Sequence, residues 1–236
     1  MALSFSQTAA LAGILKQDMR VASMGYPDII APLPPIDGLA YRTDSPAICK
    51  RHGLAERQIP DAHSFFASQG CRLDVYDVVM ERGCEIICDL NGPIDPILRA
   101  FNYDVVLDVG TLEHCYNIGQ ALINMAGMVK HGGYILHENP FLAGNHGFYS
   151  INPTLYADFY AANGFEVIEL CLANRKGERG QVPPTKRFKF TDSEVNTFCV
   201  ARRTSVQPFV FPVQSKYAHS IPAAGVSGET KEIANG

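Results

Sequence analysis

The stretch richest in chemistry runs from Tyr103 to His114 and reads Tyr-Asp-Val-Val-Leu-Asp-Val-Gly-Thr-Leu-Glu-His. A nearly continuous apolar run, with Asp104 and Asp108 near its ends, reads as a parallel strand buried on both faces. Asp108 either hydrogen-bonds buried backbone or faces a ligand, because a buried carboxylate needs a partner. Glu113 and His114 fall just past the end of the strand, where open α/β sheets bind their ligands. A histidine there suits a general base, since its ordinary pKa of about 6.5 lets it take a proton from a hydroxyl at neutral pH. The plainer reading is that Glu113 and His114 order the turn and start a helix; both stay open. His137, Glu138, Asn145 and His146 follow the next strand and are expected to line a substrate pocket, with His146 a catalytic group or part of the wall. Phe148 and Tyr149 either pack on substrate or fill the core. His114, His137, His146 and Glu138 are of metal-binding types, but no H-E-x-x-H spacing joins them and no metal site is expected.

The elements that must position these groups follow from periodicity and turn residues. Ser4–Gln17 reads as an amphipathic helix and Arg20–Met24 as a short strand ending at Gly25. Tyr26–Asp37 holds Pro27, Pro32, Pro34 and Pro35 and reads as loop. Short helices are expected over Ser45–His52 and over Asp61–Gln69, the latter on an Asp cap. Strands follow at Leu73–Val78, Cys84–Cys88, Tyr103–Val109, Tyr134–His137, Phe165–Leu170 and Thr197–Arg202. Helical stretches lie at Pro96–Ala100, at Ile118–Val129 ended by Gly132-Gly133, and at Thr154–Asn163 followed by Gly164. Strands alternating with helices of this length imply βαβ units and a mostly parallel sheet. The polar segment Ala173–Glu194 joins the last two strands as an antiparallel hairpin at the sheet edge.

This order of elements resembles the class I S-adenosylmethionine-dependent methyltransferases, with a Rossmann-like sheet that is mostly parallel with an antiparallel edge strand. The resemblance rests on Asp74-Val75-Tyr76-Asp77, Asp89-Leu90-Asn91, the Tyr103–His114 stretch and Met128–Leu136 with its Gly132-Gly133 turn. It covers about Met19 to Arg202. It implies S-adenosylmethionine as cofactor, with Asp77 on the ribose hydroxyls, Asp89 and Leu90 at the adenine, Gly25 where the backbone nears the methionine portion, and Asp108 at the amino acid end. Asn145–Pro153 and Leu155–Tyr160 resemble a bacterial subgroup associated with glycan or secondary-metabolite pathways. A small-molecule or glycan acceptor is therefore expected, with His114 and His146 as catalytic or substrate residues.

The chain departs from that pattern after the first strand. The usual GxGxG-like loop is reduced to Gly25 in Ser23-Met24-Gly25-Tyr26-Pro27-Asp28, where Asp28 could hold the amino group of the cofactor. Gly25 to Asp77 is roughly twice the usual spacing for such a unit, so an insertion at about 32–60 is expected over or beside the site. Two rivals follow. One is a non-catalytic binding or structural protein on the same scaffold. The other is an NAD-dependent enzyme, which lacks its G-x-G-x-x-G here. The expected organisation is an N-terminal helix over 1–18, a methyltransferase-like domain over 19–204, and an extended or disordered tail over 205–236.

Composition narrows the classes further. A net charge of -4 and a pI of about 6.0 give no basic excess for nucleic acid. The basic run Lys176, Arg179, Lys186, Arg187 and Lys189 reads as a solvated loop. Seven scattered cysteines read as buried free thiols in a reducing compartment. No signal segment or membrane span is expected, which places the chain in the cytoplasm.

Overall fold

The computed structural model describes residues 2–99, 102–174, 178–182 and 195–220. In chain order it has β1 (Ala2–Leu3), α1 (Phe5–Ile14), β2 (Arg20–Met24), β3 (Asp28–Ile29), α2 (Ser45–Arg51), α3 (Ala62–Ser68), β4 (Arg72–Asp77), β5 (Glu85–Ile87), α4 (Pro96–Arg99) and β6 (Tyr103–Val109). After a 3-10 turn at Leu112–His114 come α5 (Ile118–Met128), β7 (Val129–Leu142), α6 (Pro153–Ala162), β8 (Phe165–Asn174), β9 (Arg179–Gln181) and β10 (Val195–Arg203).

Eight strands form one sheet in the order β5-β4-β2-β6-β7-β10-β8-β9. The five strands from β5 to β7 are mutually parallel. β10 lies antiparallel between β7 and β8, and β9 forms an antiparallel edge. This is the strand order of the Rossmann-like class I methyltransferase sheet. The expected hairpin of the last two strands is present, but β10 is inside the sheet and the edge is β9. Part of its connection, along with Lys176, Lys186, Arg187 and Lys189, lies outside the described residues. Arg179 is exposed, pairs with Glu169, donates to the Ser6 carbonyl at 3.0 Å and covers the Phe198 ring.

Burial explains the central strand. Every residue of β6 is buried. Val106 points into the cluster under α5 and α6, while Val105, Leu107 and Val109 point into the opposite cluster with α1 and α3. Alternate side chains of a strand face opposite sides, and with both faces covered each buried Val or Leu contributes about 1.5–3 kcal/mol. The N-terminal helix belongs to this core through Leu11. β1 also pairs with β3, a two-residue ladder that sequence reading did not find.

Caps fix the helix starts. Asp61 accepts from Ser64 N at 2.9 Å, as expected, and Asn117 and Asn152 do the same for α5 and α6. At the far end of α5, Arg203 donates to the carbonyls of Val129 and Ala126 at 2.6 and 3.4 Å. Gly132-Gly133 does not end that helix. β7 begins directly at Val129, and the glycines sit in a register shift where Tyr103 pairs with Val129 but Val105 pairs with Tyr134.

The insertion carries α2 and its own small core of Ile48, Cys49 and Ile59. It packs beside the ends of β2 and β4, where Arg51 and His52 reach the buried Asp28. The Phe209 ring stacks on Phe159, and Val210 exchanges hydrogen bonds with Asn163. The end of the tail, 221–236, lies outside the described residues. All seven cysteines are free, and no described helix is long and apolar enough to cross a membrane.

A Cβ on Gly133 would lie 2.9 Å from the Asp104 carbonyl and 3.0 Å from that of Tyr103, both backbone atoms that cannot swing aside. Gly133→Ala should therefore cost about 1–3 kcal/mol in denaturant unfolding. An unchanged midpoint would show that β6 and β7 do not approach this closely.

Candidate functional site

The ends of three parallel strands meet at one level. Met24 pairs with Tyr76 and Ser23 with Leu107, which puts Gly25 beside Asp77 and Val109. Gly25 has φ 82 and Gly110 has φ 87, backbone that favours glycine. The two turns are tied together: Thr111 donates to the Met24 carbonyl at 2.6 Å, and Gly25 N donates to Tyr76 O at 2.6 Å. Asp77 is partly exposed, and one of its oxygens accepts a 3.3 Å bond from Val79 N.

Asp89 is exposed and closes a turn, accepting from Asn91 N at 2.9 Å and from its side-chain amide at 2.8 Å. Asn117 and Asn124 fasten that turn to α5 through Asn91 O, Leu90 O and Gly92 O. The Leu90 side chain does not present itself to a ligand ring. It is 5% exposed and packs in the main core, because the turn bends inward over Asn124. Asp28 is also spoken for: Arg51, His52 and Arg82 stand 3.5, 3.4 and 4.0 Å from its carboxylate.

Asp108 is wholly buried and does not face the strand ends. Thr111 N and Leu112 N donate to one oxygen at 3.1 and 3.0 Å, and His137 Nδ1 meets the other at 2.6 Å. A carboxylate only accepts, so Nδ1 donates to it, and Nε2 shares a hydrogen bond with the Tyr160 hydroxyl at 2.5 Å. Of the two options for Asp108, the structure adopts buried hydrogen bonding. His137, expected at a pocket wall, is likewise fully buried.

A second polar chain lies beside the first. Asn139 donates to Glu113 Oε2 at 2.9 Å, and the Tyr156 hydroxyl donates to Asn139 Oδ1. His137 and Asn139 share a face of β7 by strand alternation, and Tyr156 and Tyr160 share a face of α6 by helical spacing. The His137 and Tyr156 rings stack at 4.5 Å. Burial, reinforced by the charge of Asp108, pushes the Glu113 carboxyl up to about 7. Asn139, Tyr156 and Tyr160 were missed in the sequence. The available signal was the alternation His137-Glu138-Asn139 facing two tyrosines four residues apart.

The chains open outward at Glu113. His114 and His146 are each about half exposed, with ring centroids 5.3 Å apart. Phe148 N donates to Glu113 O at 2.9 Å, which holds the 142–150 loop against the turn. That loop lines a cavity of about 360 Å³ through Leu142, Gly144, Asn145, Phe148 and Ser150. Tyr116 stands edge-on to Phe148 at its rim. The sequence-predicted His114 and His146 thus come together, whereas His137 and Glu138 do not join them.

No protein-family model matches the sequence, and no curated protein matches it. Solved structures share its course at low identity. A 1,6-didemethyltoxoflavin-N1-methyltransferase of Burkholderia thailandensis, crystallised with 1,6-didemethyltoxoflavin and S-adenosylhomocysteine, is 16% identical, with a TM-score of 0.49 over 84% of this chain and 76% of that one. The [4+2]-cyclase SpnF is 13% identical, with 0.48 over 83% and 79%. The N-methyltransferase NodS of Bradyrhizobium japonicum WM9, bound to S-adenosylhomocysteine, is 14% identical, with 0.46 over 86% and 89%. At this level of likeness the strand order, not the neighbours, fixes the fold.

Asp108→Ala strips a fully buried network of its acceptor and leaves two backbone N–H groups and His137 Nδ1 without the partner they have here. The variant should lose about 3 kcal/mol or more in urea unfolding. A loss under about 1 kcal/mol would mean that water or another side chain replaces the carboxylate.

Proposed function

We propose that this chain is an S-adenosylmethionine-dependent methyltransferase acting on a small-molecule or glycan acceptor. The observation that carries the reading is the meeting of Gly25, Asp77 and the Gly110 turn at one level of the sheet. The residues present fit the cofactor: a partly exposed carboxylate at the end of β4 with little to bind, beside a glycine that allows close backbone approach. Asp77 would accept from the ribose hydroxyls, Gly25 would let the methionine portion lie close to the chain, and the Asp89 turn would border the adenine. Asp108 serves this site indirectly, by holding the Thr111–Leu112 turn in place.

When bound, the cofactor supplies an already activated methyl group. The protein then has to align the acceptor and exclude water. The 142–150 loop, which carries His146, lines the open cavity assigned to the acceptor. An oxygen acceptor needs a base, and His114 and His146 are the candidates. Free thiols throughout accord with a reducing, cytoplasmic setting. The rival reading is a non-catalytic binding or structural protein on the same scaffold.

Calorimetric titration of S-adenosylmethionine and S-adenosylhomocysteine decides between them. Micromolar binding is expected, weakened about tenfold or more in Asp77→Ala, since a hydrogen bond to a charged group is worth about 1.5–3 kcal/mol. A folded wild-type protein that binds neither compound would establish the scaffold reading.

A further inference from the structure

We propose that Glu113, His114 and His146 form a binding site for one divalent transition cation of the zinc class. An ion held here would take His114 and His146 out of the role of base, while the proposed cofactor contacts at Gly25 and Asp77 stand apart from it. One ligand atom from each of the three residues lies within 4.8 Å of the other two. Glu113 is wholly buried, and its two oxygens differ. Oε2 is held by Asn139, whereas Oε1 has no hydrogen-bond partner. A buried polar atom left so is costly, and this one faces the two imidazoles.

Distances separate an ion site from simple hydrogen bonding. His146 Nε2 stands 3.4 Å and His114 Nε2 stands 3.9 Å from Glu113 Oε1. A charge-assisted hydrogen bond would be shorter, at about 2.7–2.9 Å. Two ligands each about 2.0–2.1 Å from a tetrahedral ion stand roughly 3.3 Å apart. The His146 separation already matches. His114 is half exposed, so a small rotamer change brings it in.

The surroundings are those of a supported site. Tyr156 holds Asn139 and Asn139 holds Glu113, the relay that orients a carboxylate ligand. Gly147 lets the loop carrying His146 lie against the turn, since a Cβ there would stand 2.8 Å from Glu113 O. Two imidazoles and a carboxylate select zinc-class ions over magnesium and calcium, which prefer oxygen. Both imidazoles are half exposed on one side, leaving a coordination position for water or a ligand oxygen, as in catalytic rather than structural zinc sites. There the ion would act as a Lewis acid on an oxygen entering the adjoining cavity.

The test is titration of the metal-free protein with Zn²⁺ and with Co²⁺, in a Cys84→Ala background to remove the exposed thiol. One equivalent should bind with micromolar or tighter affinity, and Co²⁺ should give a visible absorption band without thiolate charge transfer. His114→Ala and His146→Ala should each weaken binding about tenfold or more, and the double variant should abolish it. Both histidines are exposed, so a retained melting temperature will confirm folding. Absence of binding in the folded parent, or binding that survives the double variant, would overturn the proposal. S-adenosylhomocysteine titrated into the same preparations keeps the two readings apart. If it binds and zinc does not, only the metal site fails; if zinc binds and it does not, only the methyl-transfer reading fails.

Discussion

A carboxylate cannot be taken out of water without donors, and the functional end of this sheet is arranged to supply them to Asp108. Two come from the backbone of the turn that follows β6, and the third is His137 on the neighbouring strand. That single side chain therefore decides where β6 stops, how the chain turns at Gly110, and how β7 is oriented. Thr111, held in that turn, in turn grips the end of β2. The ends of β2 and β6, which border the proposed cofactor site, are thus tied to one buried carboxylate.

The same constraint propagates to Glu113. The turn fixed by Asp108 carries Glu113 inward, where burial and the nearby charge of Asp108 raise its carboxyl to about 7. Asn139 and Tyr156 satisfy one oxygen and leave the other facing His114 and His146. A wholly buried acid thus stands behind two solvent-facing imidazoles. The 142–150 loop, pinned by Phe148 N on Glu113 O, carries His146 and lines an open cavity. Fold and candidate chemistry are in this way parts of one hydrogen-bonded unit spanning β6, β7 and α6.

Much of this was legible in the sequence, for physical reasons. β6 is buried on both faces and so reads as an apolar run, and Asp61 is a helix cap that needs no tertiary context. His114 and His146 stood out because histidines past strand ends are where α/β sheets keep their chemistry. The remainder depends on tertiary partners. Two-residue strands such as β1 and β3 have no period to read. Leu90 lies between two turn-forming residues, and only the packing of α5 under the turn sends it into the core. Glu113, a charged residue in a short turn, looks exposed until Asn139 and Tyr156 are placed behind it. Gly132-Gly133 looks like a helix stop, yet the close carbonyls of Tyr103 and Asp104 make it part of a strand junction.

Arg51 and Arg82 stand by Asp28 after β2, while Asp77 at the end of β4 stays partly exposed. The central claim is that a nucleoside cofactor sits across the ends of β2, β4 and β6. Amide hydrogen exchange with and without S-adenosylhomocysteine tests it most directly. The account predicts added protection at Gly25, Val79 and Thr111 and along the strand ends that carry them. Protection missing from these amides, or confined to the 142–150 loop, would contradict it.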